Sequence, residues 1–270
     1  MNGEEARMEK YLVETALMGH GLPGVTDKEL CHKKELAQGP FVWLQNGKIM
    51  LGALDAFLPL RGAGNTIARV SRENLEQAKK QGLTAFLTAS ATMAVCAELG
   101  MPLAITAGMG GIGPAPLAKV GADLLALAEL PVALLATAPK DVFDLKATIE
   151  WLQSAGVAVF GYGSPVCDGF LIQSSPVSLD GRYEGENGKQ MLLLNAVPAG
   201  QRRILPAQLA QAMEYGARQA KLGAEYHPAV NAALDGMSGG ESSHLQINAL
   251  CANIALAEIM TFGPEEEGKQ

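Results

Sequence analysis

A single lysine, Lys140, stands where an apolar run empties into a loop, in "PVALLATAPKDVFD". A solvated loop lysine is one reading, because most lysines are exposed. The other starts from its position, after a buried strand and Pro139 and beside the start of the next helix. A positive helix end and partial desolvation both lower a lysine's pKa. A neutral amine is a nucleophile that can form a Schiff base with a sugar carbonyl. Glu14 is the second candidate. It lies inside the apolar run "YLVETALMGHGLP", where an unpaired carboxylate is costly. Burial would raise its pKa and suit it to general acid work. On the exposed face of a strand it would be an ordinary surface residue. His20, at the far end of this run, reads as a loop-packing residue.

Gly108–Gly113, "GMGGIG", satisfies G-x-G-x-x-G after a strand. A dinucleotide site also needs an acidic residue at the end of the following strand. That strand ends in Ala136-Thr137-Ala138, Glu129 lies before it, and Pro114 and Pro116 follow the loop at once. The pattern therefore predicts a tight turn beside a phosphate or sugar. "NTIARVSREN" places Arg69 and Arg72 just before a helix that Ser71 is placed to cap. A basic residue beside a helix start suits a phosphate. Arg72 reads as solvated surface more readily than Arg69. "SGGESS", 238–243, reads as a turn and a helix start.

The elements that must position these residues follow from periodicity. Strands are predicted in "YLVETALMG", "FVWLQNGKIMLG", "PLAITAG", "PVALLATA", "VAVFGY", "GFLIQSS" and "MLLLNAVP". Asn46-Gly47 between two alternating runs signals a hairpin. Helices are predicted over 72–81, 88–99, 116–129, 142–155, 206–222 and 241–261. In 142–155, Leu145, Ile149 and Leu152 share one face, and Gly156 stands where a helix-ending glycine belongs. From about Thr88 to Tyr162, helices alternate with short uninterrupted apolar strands, the pattern of a parallel sheet covered on both faces. Ligands bind such sheets outside the carboxyl ends of the strands. Lys140, the glycine loop and Gly163 all fall there.

The chain has 270 residues, 48% of them hydrophobic, with 31 glycines and a net charge of −7. That is enough for one large α/β domain or two small ones. The charge argues against nucleic-acid or anionic-membrane partners. Cys31, Cys96, Cys167 and Cys251 form no CxxC pair, so no zinc site is expected; Cys96 and Cys251 read as core residues. The start, "MNGEEARMEKYLVE", has no apolar leader, and no run reaches transmembrane length. These features predict a reduced, cytoplasmic setting.

In their order and spacing these stretches resemble the pseudouridine-5′-phosphate glycosidase family, also called the indigoidine synthase A-like family. The resemblance is carried by "LVETALMGHGLP", "NGKIMLG", "ARVSRENL", "LTASATMAVCAELGMPLAITAGMGGIG", "GADLLALAELPVALLATAPKDVFDLKATIEWLQSAGVAVFGY" and "SGGESSHLQINALCANIALAEI". It covers about residues 10–260, is most specific around Lys140 and weakest over 165–235. It implies one domain over 1–270, with flexible tails at 1–9 and 263–270. The implied fold is a three-layer α/β/α arrangement around a largely parallel mixed sheet, in a homotrimer. The implied reaction is reversible cleavage of the C–C glycosidic bond of pseudouridine 5′-phosphate to uracil and ribose 5-phosphate. Lys140 falls on the Schiff-base lysine and Glu14 on the proton donor.

Other family positions differ here. The family's substrate-binding lysine is Arg69. Its "SAD" motif is Gly121-Ala122-Asp123. A threonine of its "TTV" motif is Ala89, and an asparagine near its C-terminal helix is Gln246. The "HRG" after the glycine loop is absent. The aspartate that holds manganese in the family falls on Lys119, so no metal is expected, and Lys119 is expected beside Asp123 in a pocket with Lys140. The substrate expected is a small phosphorylated sugar or nucleoside. The alternatives are Schiff-base lyase chemistry on another sugar phosphate, or a non-catalytic member that binds a ligand.

Overall fold

The computed structural model describes residues 10–63, 66–113, 119–185, 190–223 and 226–262. The expected tails, 1–9 and 263–270, lie outside the described residues. The strands are β1 (Tyr11–Val13), β2 (Phe41–Gln45), β3 (Lys48–Gly52), β4 (Ala68–Val70), β5 (Ala85–Leu87), β6 (Leu103–Ile105) and β7 (Gly108–Met109). They continue with β8 (Ala133–Ala136), β9 (Ala138–Pro139), β10 (Ala158–Gly161), β11 (Val166–Cys167), β12 (Val177–Ser178), β13 (Gly181–Arg182) and β14 (Met191–Leu194). The helices are α1 (Ala16–His20), α2 (Asp27–Cys31), α3 (Lys34–Gln38), α4 (Leu54–Arg61), α5 (Arg72–Lys80) and α6 (Ala89–Leu99). After them come α7 (Ala122–Glu129), α8 (Leu145–Ser154), α9 (Pro206–Lys221), α10 (Tyr226–Ser238) and α11 (Glu241–Phe262).

Ten strands form one sheet in the order β13-β10-β14-β8-β6-β1-β2-β5-β4, with β3 also paired to β2. Its pairings are parallel except where β2 meets β3 and β5. Every residue of β6, β8 and β14 is buried, as strands covered on both faces must be. Helices α5 to α8 pack one on the next and reach the sheet through α6 and α8. Helix α11 lies along β6 and β8, with α3 and α10 against it. This is the layered α/β arrangement expected from the sequence. Among the described residues no helix is long and apolar enough to cross a membrane.

Two expected strands differ. "YLVETALMG" is strand only to Val13, because Thr15 turns the chain. Its hydroxyl donates to the Val42 carbonyl at 2.7 Å and accepts from the Leu87 amide at 3.1 Å. Helix α1 then takes the rest of the run. "GFLIQSS", 169–175, forms no strand at all. Its amide groups at Phe170 and Leu171 are taken by the Asp141 carboxylate, at 2.9 and 2.8 Å, and so cannot enter a ladder. The helix expected from 116 begins at Ala122, with 116–118 outside the described residues. The helix expected from 142 begins at Leu145, because the Asp144 carboxylate caps it by accepting from the Ala147 amide at 2.9 Å. Helices α1 to α4 and α10 have no counterpart in the sequence reading, and neither do β4, β5, β11, β12 and β13.

The β2–β3 hairpin turns on Asn46 and Gly47 at φ 50° and 75°, the left-handed pair that its sequence called for. A methyl group on Gly47 would lie 2.4 Å from the Lys79 carbonyl oxygen, whereas at Gly156, φ +80°, it would meet nothing within 4 Å. Gly156→Ala should therefore lose only the left-handed strain, about 1 kcal/mol. Gly47→Ala should lose that plus a backbone collision, about 2–3 kcal/mol in all. Denaturant unfolding of the two variants checks the order. Equal losses would mean that the hairpin can lift off α5 freely.

Candidate active site

Glu14 is the first residue past β1. Its amide donates to the Ile105 carbonyl at 3.1 Å, which locks it to the end of β6. Its side chain is 5% exposed, and its carboxyl accepts from the Thr106 hydroxyl at 2.5 Å. Burial raises the pKa of Glu14, against the opposing pull of Lys140 and the Thr106 hydrogen bond.

Lys140 follows the short strand β9, whose partner β7 opens the glycine loop. Its amide donates to the Met109 carbonyl at 3.0 Å. The neighbouring Asp141 faces away and binds the 170–171 backbone, so one residue anchors the segment and the next projects into the cavity. The glycines of "GMGGIG" have a packing reason. A Cβ at Gly108 would lie 3.0 Å from the Lys140 side chain and 2.5 Å from the Phe170 ring. At Gly110 it would press on the Asp123 carboxylate at 3.0 Å, and at Gly111 on Phe143 at 2.8 Å. The loop is bare so that these side chains can come close. Desolvation lowers the pKa of Lys140, aided by Arg69 and opposed by Glu14 and Asp123.

Lys140, Asp123, Phe143 and the glycine loop line a cavity of about 480 Å³ at the carboxyl ends of the parallel strands. Ser71, Thr88 and Gly121, the residues just before α5, α6 and α7, all line it, and none spends its side chain on a cap hydrogen bond. Arg69 stands among these three positive helix ends. Asp123 lies in the first turn of α7. Its oxygens accept from the Ser90 amide at 2.8 Å and the Gly110 amide at 2.7 Å, tying α6, α7 and the glycine loop together. A smaller adjoining cavity brings Glu14, Lys140, Arg69, His20 and His227 to one wall.

The structure thus brings Lys140, Glu14, Arg69, Gly121, Ala122, Asp123 and Lys119 to the two cavities. It does not bring Ala89, which is buried beneath the start of α6 while its neighbours Thr88 and Ser90 line the cavity. Gln246 reaches only a small cavity behind Lys140, shared with Asp141 and Leu234. Arg72 pairs with Glu129 at 2.7 Å, away from the site. Lys119 is exposed at the cavity rim, and among the described residues it forms no ion pair with Asp123. The expected pairing therefore does not occur, and Arg69 is the cation that depresses Lys140. The residues present do not fit a manganese ion. Both Asp123 oxygens are held by backbone amides, and among the described residues no three His, Cys, Asp or Glu side chains are grouped to hold a metal.

His227 is the residue that sequence reasoning missed. It is the second residue of α10 and lines the main cavity and both small ones. Its ring lies 5.2 Å from those of Phe143 and Tyr226, and all three line the main cavity. Burial, Lys140 and Arg69 push its pKa down to about 4. The sequence signal was faint, since Pro228 hid the start of a helix that tolerates proline in its first turn.

A sequence profile of the family described as "Indigoidine synthase A like protein" matches residues 13–261. The chain is 27% identical to a pseudouridine-5′-phosphate glycosidase of Thermus thermophilus, over 93% of this chain and 96% of that protein. An indigoidine synthase A-like protein from Thermotoga maritima has the same fold, with a TM-score of 0.77 at 22% identity, covering 94% of both chains. So does the prealnumycin C-glycosynthase AlnA, solved in complex with ribulose 5-phosphate, with a TM-score of 0.75 at 19% identity over 93% of this chain and 89% of that one. These relatives include enzymes that cleave or form C-glycosidic bonds. With a match that spans the sheet, the glycine loop and the Lys140 segment, this chain belongs to the indigoidine synthase A-like family.

Proposed function

We propose that the protein cleaves, and in reverse forms, the C–C glycosidic bond of a ribosyl phosphate through an imine on Lys140. Pseudouridine 5′-phosphate, giving uracil and ribose 5-phosphate, is the substrate that suits the site best. One arrangement carries the reading. An amine with a lowered pKa and a carboxyl with a raised pKa line one small cavity, and the amine and an arginine also line the adjoining main cavity with three helix starts. The arginine and helix starts suit a phosphate. The wall of Phe143, Tyr226 and His227 suits a planar base.

The chemistry follows from the two residues. The Lys140 amine attacks C1′ and displaces the ring oxygen, which takes a proton. Glu14 then protonates the base at the carbon bonded to C1′. As the C–C bond breaks, its electron pair returns to the base, and the nitrogen lone pair makes C1′ an iminium. Water hydrolyses the iminium to the aldehyde of the open sugar phosphate and frees the lysine. A C-glycoside has no leaving-group oxygen to protonate, which is why an amine is required at C1′ and an acid at the base carbon. Lyase chemistry on another sugar phosphate would use the same pair of residues without releasing uracil.

Borohydride added with ribose 5-phosphate should leave a reduced adduct on Lys140, read by mass spectrometry of the digest. An adduct on another lysine, or none, removes the reading. Glu14→Gln should slow uracil release from pseudouridine 5′-phosphate by at least about 100-fold yet leave trapping on Lys140 intact. Equal loss of both would make Glu14 structural.

Stability supplies a third test. The folded pKa of Lys140 lies below its ordinary 10.5. Its unfavourable contribution therefore grows as pH falls from the unfolded value towards the folded one, and stability is fully present only at higher pH. Removing the charge at neutral pH should relieve that cost. Lys140→Met should abolish trapping and raise stability by about 1 kcal/mol, or about 2–4 °C in Tm for a chain of this size. A lower Tm at pH 7 would show that Glu14 and Asp123 make the ammonium a net stabiliser.

A further inference from the structure

The imine reading leaves one step without a residue. Water must lose a proton as it adds to the iminium, and the lysine nitrogen must gain one before it leaves. Glu14 is committed to the carbon of the base. Among the described residues, His227 is the one imidazole or carboxyl side chain that lines both the main cavity and the small cavity shared by Lys140 and Glu14. It enters from α10, whereas Lys140 and Glu14 stand at strand ends, and the three line the same small cavity. Its ring is fixed edgewise against Tyr226 and tilted against Phe143, both 5.2 Å away. Gly111 leaves Phe143 its place, since a Cβ there would lie 2.8 Å from it. Among the described residues, neither ring nitrogen of His227 has a hydrogen-bond partner, so a donor and an acceptor are left for a ligand in the cavity.

We propose that His227 carries the proton in the making and breaking of the Lys140 imine. The proposal rests on the reading of Lys140 as the nucleophile. Water adds to C1′ of the iminium while the neutral imidazole takes one of its protons, which forms a C–O bond and leaves a carbinolamine. The imidazolium returns that proton to the lysine nitrogen. The imidazole then takes the remaining hydroxyl proton as the C–N bond breaks, the C=O bond forms, and the amine departs. The iminium's positive charge ends as a proton on His227, which passes to Lys140 or to solvent. No oxidant, reductant or further reactant is needed. Burial, together with Lys140 and Arg69, keeps the imidazole unprotonated near neutral pH, ready to accept.

The test measures the rate at which borohydride traps ribose 5-phosphate on Lys140 in the wild type, in His227→Phe and in His227→Ala. Phenylalanine fills the same space between Phe143 and Tyr226 without the nitrogens. His227→Phe should keep the wild-type Tm and trap about 100-fold more slowly. Trapping by His227→Ala should be slow and should be accelerated by added imidazole. Wild-type trapping rates in His227→Phe would overturn the proposal and leave the Lys140 reading standing, and so would a slow His227→Ala that imidazole does not accelerate. Absence of any Lys140 adduct in the wild type would remove both.

Discussion

Two ionisable groups kept from water in one cavity set the terms for the rest of this fold. An isolated buried carboxylate or ammonium is expensive enough that it changes its protonation state instead. Glu14 and Lys140 attract each other's charged forms, and desolvation outweighs that attraction for both. The outcome is a carboxyl that binds its proton more tightly than usual and an amine that gives one up more readily. Such a pair persists only if the backbone around it cannot relax. Strand ends provide that rigidity. Glu14 is tied through its amide to β6 and Lys140 through its amide to β7, so neither can retreat from the other without breaking a strand pairing.

Close approach is the second requirement, and the glycine loop meets it. Asp123 shows how. Its carboxylate takes amide hydrogens from the loop and from α6 at once, which uses the same backbone groups that elsewhere hold phosphate. The loop that resembles a nucleotide fingerprint is therefore occupied by the protein's own acid. The starts of α5, α6 and α7 and Arg69 face the main cavity instead, an arrangement that suits an anion.

Much of this was legible in the sequence because it follows from local rules. The alternation of apolar runs and helices between Thr88 and Tyr162 predicted the parallel core. Asn46-Gly47 predicted its hairpin, and Gly156 predicted the end of α8. Lys140 could be singled out because its surroundings combine an apolar run, a proline and a helix start in one short segment. What escaped was set by distant contacts. The end of β1 depends on Thr15 meeting residues of β2 and β5, and the loss of strand in "GFLIQSS" depends on a carboxylate almost thirty positions earlier. Lys119 was placed beside Asp123 by the resemblance alone, and a resemblance does not say which way a side chain points. His227 lies in the stretch where the resemblance is weakest, and only the packing of α10 carries it to Lys140.

The anchoring of Asp141 has a consequence for how such a protein changes over generations. Because that carboxylate grips the 170–171 backbone, the direction of the lysine before it is fixed by a contact outside the cavity. The reactive end of the site is thus insulated from whatever lines the rest of the wall. Lys119 and Ser90 sit on loop and helix start and can be exchanged one at a time without turning the lysine aside. A lineage with this layout can try new substrates by altering recognition alone, and its chemistry stays in place through the trial.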